Sequence, residues 1–165
     1  MNPRSLGGAV LAATLCACAG SGGLAPATLT LDSAGFALCP WPGEAPRLVD
    51  VHDETAFRAF LAQARLDAPR LAGWKPDFTR DRVVLVSPGP RSSAGYRAEW
   101  LDAALVGDRL RARVEVRPPA SGDMAATVIT HPCVAAWVRA PGARQVEIVD
   151  ADSGEVILRS VEAGR

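Results

Sequence analysis

Lysine, tyrosine and histidine are nearly absent. Among 165 residues there is one lysine, Lys75, one tyrosine, Tyr96, and two histidines, His52 and His131. Two imidazoles exclude a site built on several histidines. Aromatics make up 5% of the chain, so a core has to be assembled mainly from Val, Leu, Ala and Ile. Net charge is also missing, with 18 Lys+Arg against 18 Asp+Glu, which removes the general electrostatic case for a nucleic-acid partner. No G-x-S-x-G, H-E-x-x-H or Gly-rich phosphate loop occurs, and the carboxylates are scattered without a convincing acid–base pair. The expectation is therefore a protein that is not an enzyme and takes no metal or cofactor. What is plentiful is punctuation: 13 prolines and 15 glycines signal many turns and short elements rather than a helical bundle. The length suits one domain.

The first residues read as an address. Arg4 supplies one positive charge, Leu6 to Leu15 form an uncharged, mostly apolar stretch, and small residues and cysteines follow. That stretch is shorter than the ~20 residues a permanent membrane helix needs, and it fits a secretory signal. Leu15-Cys16-Ala17-Cys18 resembles a bacterial lipobox, with an apolar residue three before the cysteine and a small one immediately before it. Cys16 fits less well, because bulky Leu15 would stand at the cleavage position. The expectation is a lipoprotein signal peptide over 1–17, an acyl anchor of the palmitate type on Cys18, a flexible tether over 18–27, and one globular domain over 28–165. An ordinary signal peptide cut nearby is the alternative. Ala19 stands where an inner-membrane retention signal would have Asp. The resulting expectation is an exported protein, lipid-anchored to the bacterial cell envelope at the outer membrane.

Two cysteines then remain, Cys39 and Cys133. An even remainder in an exported chain favours one disulfide. Two free buried thiols are the second reading. The third is a catalytic or metal-binding Cys133 beside His131, since the two share a face of an extended strand. Two ligands are too few for zinc.

The patterning is mostly that of strands. Alternating Thr and Leu from Thr28 begins one over 28–38, and Cys39-Pro-Trp-Pro-Gly43 breaks it. Asp53 is a plausible N-cap, and Phe57, Phe60, Leu61 and Ala64 form one apolar helix face, which predicts a helix over about 54–66. Residues 67–79 read as loop. Val83–Val86 is a continuous apolar run that fits a strand buried on both faces. Tyr96, Ala98 and Trp100 alternate with charged residues, and Gly107-Asp108 predicts a tight hairpin. Leu110, Ala112, Val114 and Val116 alternate with Arg109, Arg111, Arg113, Glu115 and Arg117, giving one buried and one cationic face. Thr127–Val138 reads as a strand bent at Pro132, and a final hairpin turns at Asp152-Ser-Gly154. The run from Asp150 lacks the spacing of a calcium loop. The sum is six or seven strands and one helix. The expected fold is α+β, a mainly antiparallel β-sheet or small β-sandwich with one packed N-terminal helix.

Trp74 to Pro141 resembles the C-terminal domain of the PrcB family, lipoproteins that take their name from a subunit of a cell-surface protease complex. The residues carrying the resemblance are Pro76-Asp77-Phe78, Gly89, and Arg91-Ser92-Ser93-Ala94-Gly95-Tyr96. The Arg/Val alternation through Arg117-Pro118-Pro119 and Thr130-His131-Pro132-Cys133-Val134 complete it. The chain departs from the family at Ser92-Ser93-Ala94, where Pro, Thr and Gly are more usual. The resemblance implies a role assisting or stabilising a protease complex.

Gly95 before Tyr96 suggests φ > 0 at the end of a surface loop, where binding residues often lie. Arg91, Ser92, Ser93, Gly95 and Tyr96 are therefore the candidate partner-binding loop. The functional expectation is a non-catalytic, lipid-anchored envelope binding module, its partner a protease or another envelope protein. Ser92-Ser93-Ala94-Gly95-Tyr96 is also similar to a polar loop of chagasin-type inhibitors, so a protease inhibitor is one alternative. A structural envelope lipoprotein is the other.

Overall fold

The computed structural model describes residues 29–39, 43–63 and 68–160. The expected signal peptide, Cys18 and the tether lie outside these residues. Eight strands and two helices follow in the order β1 (Thr30–Phe36), β2 (Arg47–Val51), α1 (Glu54–Gln63), α2 (Ala68–Ala72), β3 (Asp81–Ser87), β4 (Arg97–Val106), β5 (Arg109–Arg117), β6 (Cys133–Arg139), β7 (Gln145–Asp150) and β8 (Val156–Arg159). The strands form two four-stranded sheets, ordered β1-β6-β3-β2 and β4-β5-β7-β8.

The apolar run of β3 explains the layering. Val83, Val84, Leu85 and Val86 are all fully buried, and successive side chains point to opposite faces. Val84 and Val86 join Trp100, Leu110, Val114, Val134 and Ile148 in the core between the sheets. Val83 and Leu85 join Phe57, Phe60, Leu71, Trp74 and Ala135 in a second core under the helices. Three layers result: helices, sheet, sheet. β5 has one apolar and one charged face, so Leu110, Ala112 and Val114 are buried while Arg109, Arg111 and Arg113 are exposed. Its outer face is laced with ion pairs rather than bare. Arg113 Nε donates to both carboxylate oxygens of Asp102 at 2.9 and 3.0 Å, and Arg109 and Arg159 both reach Glu147 at 3.2 Å.

Local signals hold at several points. Asp53 caps α1, its Oδ1 accepting from the Ala56 N–H at 2.7 Å. Gly107 turns the β4–β5 hairpin with φ 64°. Buried indoles are satisfied: Trp74 donates to Asp32, Trp100 to Thr30 Oγ1 and Trp137 to Asp81.

Three expectations need correction. β2 was not anticipated. Its five residues carry little periodicity, and it is a strand because β3 supplies a ladder for it. The 67–79 loop contains α2, which accommodates Pro69 because a proline in the first turn forfeits no intrahelical hydrogen bond. The expected strand over Thr127–Val138 starts only at Cys133. Pro132 has no N–H for a ladder, and the residues before it turn to a neighbouring loop instead. The pairing is mainly antiparallel, as expected; among the described strands the exception is β5 with β7, which run in parallel. The chain crosses to the other sheet for β6 and returns in the same direction, which a hairpin cannot do.

Candidate functional site

Between β3 and β4 the chain runs through a loop, 88–96, that is fastened at several points. Arg91 and Thr130 exchange backbone hydrogen bonds at 2.8 and 2.9 Å, forming an isolated bridge. The Ala94 N–H donates to the Ala126 carbonyl at 2.9 Å, and Thr130 Oγ1 donates to the Ser93 carbonyl at 2.8 Å. The segment from Pro119 to Thr130 thus straps the loop from one side. Arg91 turns its guanidinium back, donating to the carbonyls of Pro88 and Pro90 at 3.3 and 3.0 Å, and lies 6.0 Å from the Tyr96 ring centroid.

Of the expected contact residues, Ser92 and Gly95 are exposed, and Arg91, Ser93 and Tyr96 are half-buried. Their roles divide accordingly. Arg91 and Tyr96 brace each other. Ser93 contributes its carbonyl to the strap. Ser92 is the side chain presented to solvent. Gly95 has φ 89°, and a Cβ there would lie 2.8 Å from the Pro119 Cβ. Pro119 therefore closes the loop, and only glycine leaves room for it. Sequence reasoning missed the strap residues Ala126 and Thr130, since the hydrogen bonds that recruit them are non-local. Met124, Val128 and Ile129 on the strap are exposed.

Cys39 and Cys133 are joined in a disulfide with their Cα atoms 5.2 Å apart. It ties the end of β1 to the start of β6, beside the Cys39 N–H, which donates to the His131 carbonyl at 2.6 Å. The bond removes both free-thiol readings, including the nucleophilic or metal-binding Cys133. His131 is half-buried, and its Nδ1 has no hydrogen-bond partner among the described residues. Among the described residues no three His, Cys, Asp or Glu side chains gather as a metal would require. Around Asp150, the Ser153 N–H and hydroxyl donate to the carboxylate at 2.8 and 2.9 Å, so this stretch is a self-bonded turn.

A sharper electrostatic feature lies elsewhere. Asp50 and Arg82 form a largely buried pair at 2.6 Å, and Arg82 also donates to the Ala143 carbonyl. Burial pushes the Asp50 carboxyl above its ordinary range, against the pull of Arg82. Asp81, 2% exposed, accepts from the Trp137 indole at 2.9 Å and the Asp77 N–H at 3.1 Å, and pairs with Arg139 at 3.3 Å. The first cluster ties β2 to β3, and the second ties β3 to β6.

Residues 82–139 match the family model described as PrcB C-terminal. Over these residues the chain is similar to that family. No curated protein and no solved structure matches. The matched segment runs from β3 through β6 and includes the whole strapped loop. It takes two strands from each sheet, so β1, β2, β7, β8 and the helices complete both layers from outside it. The disulfide crosses that boundary, joining Cys39 outside the segment to Cys133 within it.

Proposed function

We propose that the chain is a non-catalytic binding module, held at the bacterial cell envelope by lipid on Cys18, that assists or stabilises a surface protease complex. The observation that carries this reading is the PrcB C-terminal match over the residues that build loop 88–96 and its strap. The construction of the loop supports it physically. Hydrogen bonds at Arg91, Ala94 and Thr130 order the backbone before any partner arrives, so docking costs less conformational entropy than it would for a free loop. Ser92 and the exposed strap side chains then offer a stiff surface.

Crosslinking in intact envelopes, followed by capture of the chain, tests the partner. Reproducible co-purification of a peptidase, reduced by Ser92→Arg, is the expected result. Its absence removes the protease role. Labelled palmitate should enter the wild-type chain and not Cys18→Ala, and a chain that takes up no label has no such anchor. Inhibition of a papain-like protease, abolished by Tyr96→Ala, would replace the reading with that of an inhibitor.

A further inference from the structure

β1 and β4 are the end strands of their sheets, and each has one side without a strand neighbour among the described residues. They stack against each other at Gly35, where an added Cβ would lie 3.3 Å from the Ala98 carbonyl oxygen. Next to this close approach lies an open cleft of about 580 Å³, lined by Gly35, Phe36, Trp100, Arg70, Arg97 and Glu99 among others. That volume is in the range of ordinary ligand sites.

The charges in the cleft do not balance. Glu99 is engaged by Arg117 at 3.1 Å. Arg70 donates to the Gly35 carbonyl at 3.1 Å and has no carboxylate partner among the described residues. Arg97 has no side-chain partner there at all. Its cross-strand neighbour Arg117 already holds Glu99 and Glu115, so neither carboxylate is left over for Arg97. A carboxylate in the cleft would give Arg97 the partner it lacks.

We propose that this cleft binds an extended acidic peptide segment of a protein partner, with a carboxylate held by Arg70 and Arg97 and the peptide backbone lying along the free edges of β1 and β4. Two unpaired strand edges suit an extended chain, which can add main-chain hydrogen bonds to either. Two arginines without carboxylates select negative charge, and their planar donor sets match carboxylate geometry. The proposal rests on the reading of the chain as a binding module and names the chemistry of one contact. Arg97 of the cleft follows Tyr96 in sequence, so β4 leads from loop 88–96 into the cleft lining.

The test uses the full chain and a labelled Val-Glu-Val-Glu-Val-Glu peptide, with Val-Lys-Val-Lys-Val-Lys as the control, followed by fluorescence anisotropy. The acidic peptide should bind and the basic one should not. Arg70→Gln and Arg97→Gln should each weaken binding about tenfold. Arg144→Gln, a change at an exposed arginine away from the cleft, should leave binding unaltered. Binding should weaken as salt is added. Equal binding of both peptides, or unchanged affinity in both glutamine variants, overturns the proposal. If the acidic peptide fails to bind while envelope crosslinking still captures a partner, this site falls and the binding-module reading stands.

Discussion

Replacing both Cys39 and Cys133 with alanine should cost this fold more than any other conservative change. The bond closes a loop of 94 residues in sequence separation. On the chain-entropy model, opening a loop of that length releases about 4.7 kcal/mol of constraint from the unfolded chain. Both cysteines are buried, Cys133 completely, in the core that holds Phe57, Leu71 and Trp74. Alanine removes sulfur contacts there and adds a smaller packing loss. A domain's whole stability is only about 5–15 kcal/mol, so the variant should retain a fraction of it. The midpoint of thermal unfolding should fall by roughly 10–19 °C for a chain of this size. The assay is guanidinium unfolding of the oxidised parent and the double alanine variant, with a non-reducing peptide map to establish the bond. The variant's m-value should rise, because its unfolded state is no longer cross-linked and exposes more surface. Equal midpoints and equal m-values, with the bond mapped in the parent, would refute the loop-closure reasoning.

Three further outcomes follow from the geometry. Gly95→Ala should destabilise by about 2 kcal/mol, because alanine at φ 89° is strained and its Cβ meets the Pro119 Cβ; Pro119→Gly in the same chain, which deletes that Cβ, should recover part of the loss, read by thermal melts as a non-additive pair. Asp81→Asn should cost about 2 kcal/mol and alter tryptophan fluorescence, since it disturbs bonds to Trp137, the Asp77 N–H and Arg139 at a site with almost no solvent. Acid should act in opposite directions at two carboxyls. The Arg113 hydrogen bond holds Asp102 below its ordinary range, so its stabilising share is complete above the unfolded value of about 3.9 and is lost as pH falls through the lower folded value. Burial raises Asp50, so its protonation adds stability as pH falls from its folded value towards about 3.9. Asp102→Asn should therefore flatten the acid limb of a stability–pH curve and Asp50→Asn should steepen it; no change in either limb would remove the argument.

Much of the architecture was legible because it depends on neighbours in sequence. The Val83–Val86 run announced a strand buried on both faces. The Arg/Val alternation of 109–117 announced one with a single apolar face. Asp53, Gly107 and Gly95 carried their local geometry in their residue types. β2 was illegible because Arg47–Val51 becomes a strand only through pairing with β3. Pro69 read as a breaker, and nothing local says that a short helix will start just before it. The end of the strap, from Thr127, was read as the beginning of β6, since the strap's bonds to Arg91, Ser93 and Ala94 bridge more than 30 residues.

The amino-acid order by itself determined which segments could be strands, where the turns fell, that Cys39 and Cys133 were available to pair, and that 82–139 carried the PrcB pattern. Tertiary structure alone decided that β5 and β7 run in parallel, that Pro119 closes on Gly95, and that Arg70 and Arg97 share a cleft. The reason is one of range. Side-chain periodicity and turn conformation are settled within a few residues, whereas sheet order and site assembly depend on which distant surfaces exclude water together.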